Sequence, residues 1–143
     1  MDKPFFYIAE RFFLDENYEE FSKILGRAEI VTYDTMLCTV KSEHGLSEQI
    51  IAYYKNPTKS HEYHTLDDGF EFCGYDLSEE STMISAITNC GGMFGDAIPY
   101  EKLNKFGLIA EYSEAFAIRK LLDELYPQES HAECDVYELW RRL

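Results

Sequence analysis

The sequence predicts an α+β fold, in which a largely antiparallel sheet packs with about three to four helices. Two patterns indicate it: runs rich in aromatic and β-branched residues are typical of strands, and segments with apolar residues at helical spacing alternate with them irregularly. The length of 143 residues is that of one domain, and the chain shows no repeat, linker or low-complexity stretch. Residues 1–143 are therefore expected to form a single domain.

Strands are predicted wherever aromatic and β-branched residues concentrate between turn signals. These segments are residues 5–13, 28–40, 49–55 and 70–75. Asn56-Pro57 ends the third of them, and a polar loop then leads into the fourth. The tail, residues 134–140, fits either a last strand or a terminal helix turn.

Helices are predicted where capping residues flank an apolar stripe. The segments are residues 17–26, 79–90, 99–103 and 113–126. For the second, Ser78 can cap the start and Gly91-Gly92 can end it, although a strand over 82–89 is the alternative. The last is the clearest, because four apolar residues recur at helical spacing: Ala115, Ile118, Leu122 and Leu125.

Charge is the most unusual global property of the chain. Twenty-seven acidic residues face 13 basic ones, for a formal net charge of −14. This charge favours a cationic protein partner and disfavours nucleic acid and anionic membranes. The sequence has neither a signal peptide nor an apolar stretch of the roughly 18 residues that a membrane helix needs. A cytoplasmic location is therefore expected. Four cysteines without paired spacing predict free thiols, and no cofactor is expected. The oligomeric state stays open.

Acidic residues beside tyrosines are the first candidate for a binding surface. The expected partner-binding residues are Asp15, Glu16, Tyr18, Glu19, Asp76, Glu79, Glu80 and Tyr112. Asp123-Glu124, just before Tyr126, repeats the pattern. Charge would steer the encounter with a basic protein, and desolvated aromatic anchors would supply affinity.

In size, acidity and lack of catalytic motifs, the chain is similar to bacterial immunity proteins, which neutralise a toxin by covering its basic active site. The resemblance implies a small non-enzymatic binding protein or inhibitor. It is a resemblance of type, so it assigns no role to any single residue.

Three alternatives remain open. Cys90, beside Gly91-Gly92, could be a nucleophile with His64 or His131 as its base. A zinc site could be built from two pairs with ligand spacing, His61 with His64 and His131 with Cys134. The acidic surface could also mimic nucleic acid and block a DNA-binding protein.

Overall fold

The computed structural model describes residues 4–9, 49–66, 69–79, 85–87, 90 and 92–142. Four strands form one sheet in the order β1-β2-β4-β3, and every neighbouring pair is antiparallel. The strands are β1 (Phe5–Ala9), β2 (Gln49–Lys55), β3 (Phe70–Ser78) and β4 (Asp135–Arg142). One α-helix, α1 (Tyr112–Leu125), packs against β3 and β4. Single 3-10 turns are formed by His61–Tyr63, Tyr100–Lys102 and Ser130–Ala132.

The expected α+β fold with about three to four helices is wrong. The described residues form a small, mostly sheet structure with a single α-helix, α1. In the segment predicted as a helix over 79–90, Ser85 instead forms a bridge with Ser78, and Ala86 donates its amide to the carbonyl of Leu77 at 2.8 Å. The predicted helix over 99–103 is only a 3-10 turn. The helix predicted over 17–26 and the strand over 28–40 lie outside the described residues.

Other local predictions are confirmed. The strand over 49–55 is β2, and the strand over 70–75 is present but continues to Ser78. The tail is a strand, β4, and not a helix turn. The helix predicted over 113–126 is α1.

Asn56 ends β2 and ties it to β4. Its φ of 46° lies in the left-handed region, which asparagine tolerates better than most residues. Its backbone N–H donates to the carbonyl of Val136 at 2.7 Å, and its side-chain Oδ1 accepts from the backbone N–H of Val136 at 3.0 Å. The same side chain donates to Asp135 at 2.9 Å. These bonds fix the start of the loop that leads from β2 to β3.

The core lies between α1 and one face of the sheet. Ala115, Ile118 and Leu122 are the buried positions of α1, as their helical spacing predicts, whereas Leu125 of the same stripe is 47% exposed. They pack with Leu77 of β3 and Val136 of β4 in one apolar cluster. In the described part of the chain, no helix is long and apolar enough to cross a lipid bilayer.

Candidate functional site

The residues predicted to bind a partner do not share one environment. Asp15, Glu16, Tyr18, Glu19 and Glu80 lie outside the described residues. Glu79 is mostly buried and hydrogen-bonds to His131 at 2.8 Å. Tyr112 is partly buried and donates its hydroxyl to the carbonyl of Pro57 at 2.9 Å. Neither side chain is a freely exposed anchor.

Asp76 is fully buried, so it contributes nothing to an exposed acidic surface. Its carboxylate accepts hydrogen bonds from the Ser85 hydroxyl at 2.6 Å, the Leu77 amide at 2.8 Å and the Ser78 hydroxyl at 3.1 Å. Burial raises the pKa of Asp76 above its ordinary value, and the hydrogen bonds oppose that rise. Asp76 thus fastens the Ser85 segment to the end of β3.

Cys90, the candidate nucleophile, and Cys134, a candidate zinc ligand, lie near acidic side chains. Cys134 donates its thiol to the carbonyl of His131 at 2.9 Å, and Cys90 donates to the carbonyl of Ser85 at 3.5 Å. Burial raises the pKa of the Cys90 thiol, and the nearby carboxylates of Glu79 and Asp76 raise it further. Burial likewise raises the pKa of Cys134. A nucleophilic cysteine needs a stabilised thiolate, and these surroundings favour the neutral thiol instead.

The two ligand pairs proposed for zinc, His61 with His64 and His131 with Cys134, contact different groups. His61 and His64 lie against β3 and β4, whereas His131 bonds to Glu79 beside Cys134. Among the residues that the structure describes, no group of three or more His, Cys, Asp and Glu side chains could hold a metal ion. The four-ligand set is therefore not assembled.

A buried carboxylate, Glu138, organises the environment of His61 and His64. Glu138 is fully buried at the centre of β4, and sequence reasoning did not single it out. Its Oε2 lies 2.7 Å from His64 Nδ1 and accepts from Trp140 Nε1 at 2.8 Å. Its Oε1 accepts from the Tyr75 hydroxyl at 3.4 Å. Burial raises the pKa of Glu138, and the Trp140 and His64 hydrogen bonds oppose this.

Aromatic rings complete this network on one face of the sheet. Tyr54 and Tyr75 are both cross-strand partners of Glu138, which places the three side chains on the same face. The His64 ring stacks on Tyr54 with centroids 4.1 Å apart, and the His61 ring stacks on Phe72 at 3.6 Å. Burial lowers the pKa of His61, although the Glu62 and Glu111 carboxylates raise it. The network satisfies its own hydrogen bonds and fastens the 61–63 turn to the sheet.

An acidic cleft lies where α1 ends. It has a volume of roughly 480 Å³ and includes no basic residue in its lining. Its walls are Asp123, Tyr126, Pro127, Gln128, Glu129, Ser130 and Glu133. Glu129 and Glu133 are exposed, and the 3-10 turn Ser130–Ala132 brings them back toward the helix end. The sequence pattern had marked Asp123 and Tyr126, but nothing in it placed Glu129 and Glu133 beside them.

The helix itself adds to the negative potential of this cleft. The carboxyl end of an α-helix carries a partial negative charge, which basic side chains normally balance. The last turn of α1 contains no basic residue and instead carries Asp123 and Glu124. The cleft therefore suits a cationic group. No protein family model, curated protein or solved structure matches this chain.

Proposed function

We propose that this protein is a small non-enzymatic binding protein for a cationic protein partner, which it binds at the acidic cleft after α1. The observation that carries the proposal is the cleft itself, lined by Asp123, Glu129 and Glu133 around Tyr126. A basic toxin, of the kind that immunity proteins neutralise, is a partner with this chemistry.

The cleft supports the proposal because its charges act together. Three carboxylates and a helix carboxyl end give one small concave surface a potential of a single sign. Tyr126 lines the cleft and is only partly buried, so its ring adds an aromatic surface for a guanidinium or ammonium group. The net charge of −14 adds long-range attraction, which raises the association rate with a basic partner.

The test compares two charge-matched double variants for binding of a fluorescein-labelled deca-arginine peptide at low ionic strength. Glu129→Gln/Glu133→Gln removes two exposed carboxylates that line the cleft. Asp96→Asn/Glu101→Gln removes two exposed carboxylates that do not line it. We expect the first pair to weaken binding about tenfold, roughly 1.4 kcal/mol, and the second pair to change it far less.

Added salt should weaken wild-type binding and shrink the difference between the two variants, because exposed charges are screened. Equal losses in both variants would mean that only total charge matters and that the cleft is not the site. Retention of full affinity in the Glu129→Gln/Glu133→Gln variant would also overturn the proposal.

A further inference from the structure

The turn between β2 and β3 presents an aromatic side chain to solvent. Tyr63 is 74% exposed, more than any other exposed large hydrophobic side chain in the described ranges. It lies in the 3-10 turn His61–Tyr63 beside Glu62, which is exposed as well. The turn thus exposes a carboxylate and an aromatic ring on consecutive residues.

The two exposed residues are held from both sides. Before them, His61 stacks on Phe72 at 3.6 Å, and its amide donates to the Tyr75 hydroxyl at 2.9 Å. After them, His64 lies 2.7 Å from the buried carboxylate of Glu138. The position of the Tyr63 backbone is therefore fixed by contacts with β3 and β4, and little conformational entropy remains to be lost on binding.

The surroundings of the turn are acidic. Ser60 donates its hydroxyl to Glu62 at 3.5 Å, which orients that carboxylate. Glu111, which precedes α1, acts with Glu62 on the charge of His61, so both carboxylates lie near the turn. A tyrosine face next to carboxylates is suited to a guanidinium or ammonium group, by cation–π contact and charge together.

We propose that Tyr63 and Glu62 form a second, pre-organised contact for an arginine or lysine side chain of the cationic protein partner. This inference rests on the function proposed above and names a second surface that serves it. At the amino end of α1, the Tyr112 hydroxyl donates to the carbonyl of Pro57, in the same loop as the turn, whereas the cleft lies at the carboxyl end of α1. A helix of 14 residues is about 21 Å long, and an ordinary interface patch is about 30 Å across, so one partner can contact both ends.

The experiment measures deca-arginine binding to single variants of the turn at low ionic strength. We expect Tyr63→Ala and Glu62→Gln each to weaken binding about fivefold, whereas Tyr63→Phe keeps the ring and stays within about twofold of wild type. Met93→Ala removes another exposed apolar side chain and should have no effect. Lys59→Gln removes a cation from the same loop and should strengthen binding.

Failure of this inference is distinguishable from failure of the proposed function. Wild-type binding by Tyr63→Ala and Glu62→Gln, with the loss still present in Glu129→Gln/Glu133→Gln, would overturn the turn contact and leave the cleft standing. A loss in Tyr63→Phe as large as in Tyr63→Ala would also contradict it, because the ring face would then not be what binds.

Discussion

At Gly74, the sheet and the loop that contains Asn104 and Leu108 approach each other closely. The β3–β4 register shifts between Phe72 and Gly74, and Gly74 has a φ of 138°, which side chains rarely adopt. A Cβ there would lie 2.7 Å from the Leu108 Cβ and 2.9 Å from the Asn104 side-chain nitrogen. Asn104 itself donates to the carbonyl of Cys73 at 2.7 Å, so it has little freedom to move.

Gly74→Ala should therefore destabilise the protein by about 2–4 kcal/mol, from backbone strain and overpacking together. Gly69→Ala is the matched control, since its φ of 95° is also strained but nothing lies within 4 Å of the added Cβ. The control should lose only about 1 kcal/mol. Urea unfolding measures both values, and equal losses would show that the contact with Leu108 does not matter.

At the scale of residues, the sequence did not indicate which acidic side chains are buried. Asp76 and Glu79 were expected on a surface, yet Asp76 is fully buried because three donors satisfy its carboxylate. Glu138 was missed because its neighbours in the sequence give no sign that β4 is covered on both faces. Burial of a carboxylate depends on donors distant in sequence, here His64 and Tyr75.

Among the elements, α1 carries its charges in an unfavourable order. Asp123 and Glu124 are exposed in the last turn, where the helix dipole disfavours anions. Nothing in the packing of α1 requires them, since its buried residues are Ala115, Ile118 and Leu122. Such an arrangement is expected where a surface is selected to bind a cation at the expense of stability.

Neutralising either acid should stabilise the free protein, but only one should weaken binding. Asp123→Asn and Glu124→Gln should each raise the free energy of unfolding by about 0.3–1 kcal/mol. Asp123 lines the cleft and Glu124 does not, so only Asp123→Asn should clearly reduce deca-arginine affinity. Thermal unfolding and fluorescence titration measure the two effects. A destabilised Asp123→Asn variant would contradict the charge argument for α1.

Strands and helices were predicted correctly where the residues that determine them are close together in the sequence. Strand β2 and helix α1 have their own apolar patterns and flanking breakers, and both were predicted. The segment over 79–90 has helix signals as well. Its described residues 85–87, however, are held against β3 by hydrogen bonds to Asp76 and Leu77. Tertiary hydrogen bonds of this kind outweigh capping preferences worth about 1 kcal/mol.

For the molecule as a whole, the sequence patterns predicted an antiparallel sheet but not its order. Strand β4, the last of the described strands in sequence order, lies between β2 and β3. No local pattern encodes this order, because it depends on which strands bury both faces. Four consecutive residues of β4, Val136 to Leu139, are buried, so both faces of this strand are covered.

The central position of β4 next to β3 leads to a prediction about pH. Asp76 and Glu138 are both fully buried, and burial raises the pKa of each above the ordinary values of 3.8 and 4.5. The folded state then holds more protons than the unfolded state above those values, so this contribution to stability falls as pH rises toward the folded pKa. His61 has the opposite effect on stability. Burial lowers its pKa from 6.5, because the buried ring favours the neutral form, so the stability that His61 contributes is lost as pH falls below that value.

Glu138→Gln removes one of the two carboxyl contributions. The free energy of unfolding of this variant should therefore decrease less steeply with rising pH than that of wild type, whatever its absolute value. Urea unfolding between pH 4 and pH 8, a range that begins below the ordinary carboxyl value of 4.5, provides the two profiles through fluorescence of the single tryptophan, Trp140. Glu101→Gln, at an exposed position, should run parallel to wild type. If Glu138→Gln also runs parallel, the Glu138 carboxyl titrates alike in both states, and its contacts with His64 and Trp140 fully offset its burial.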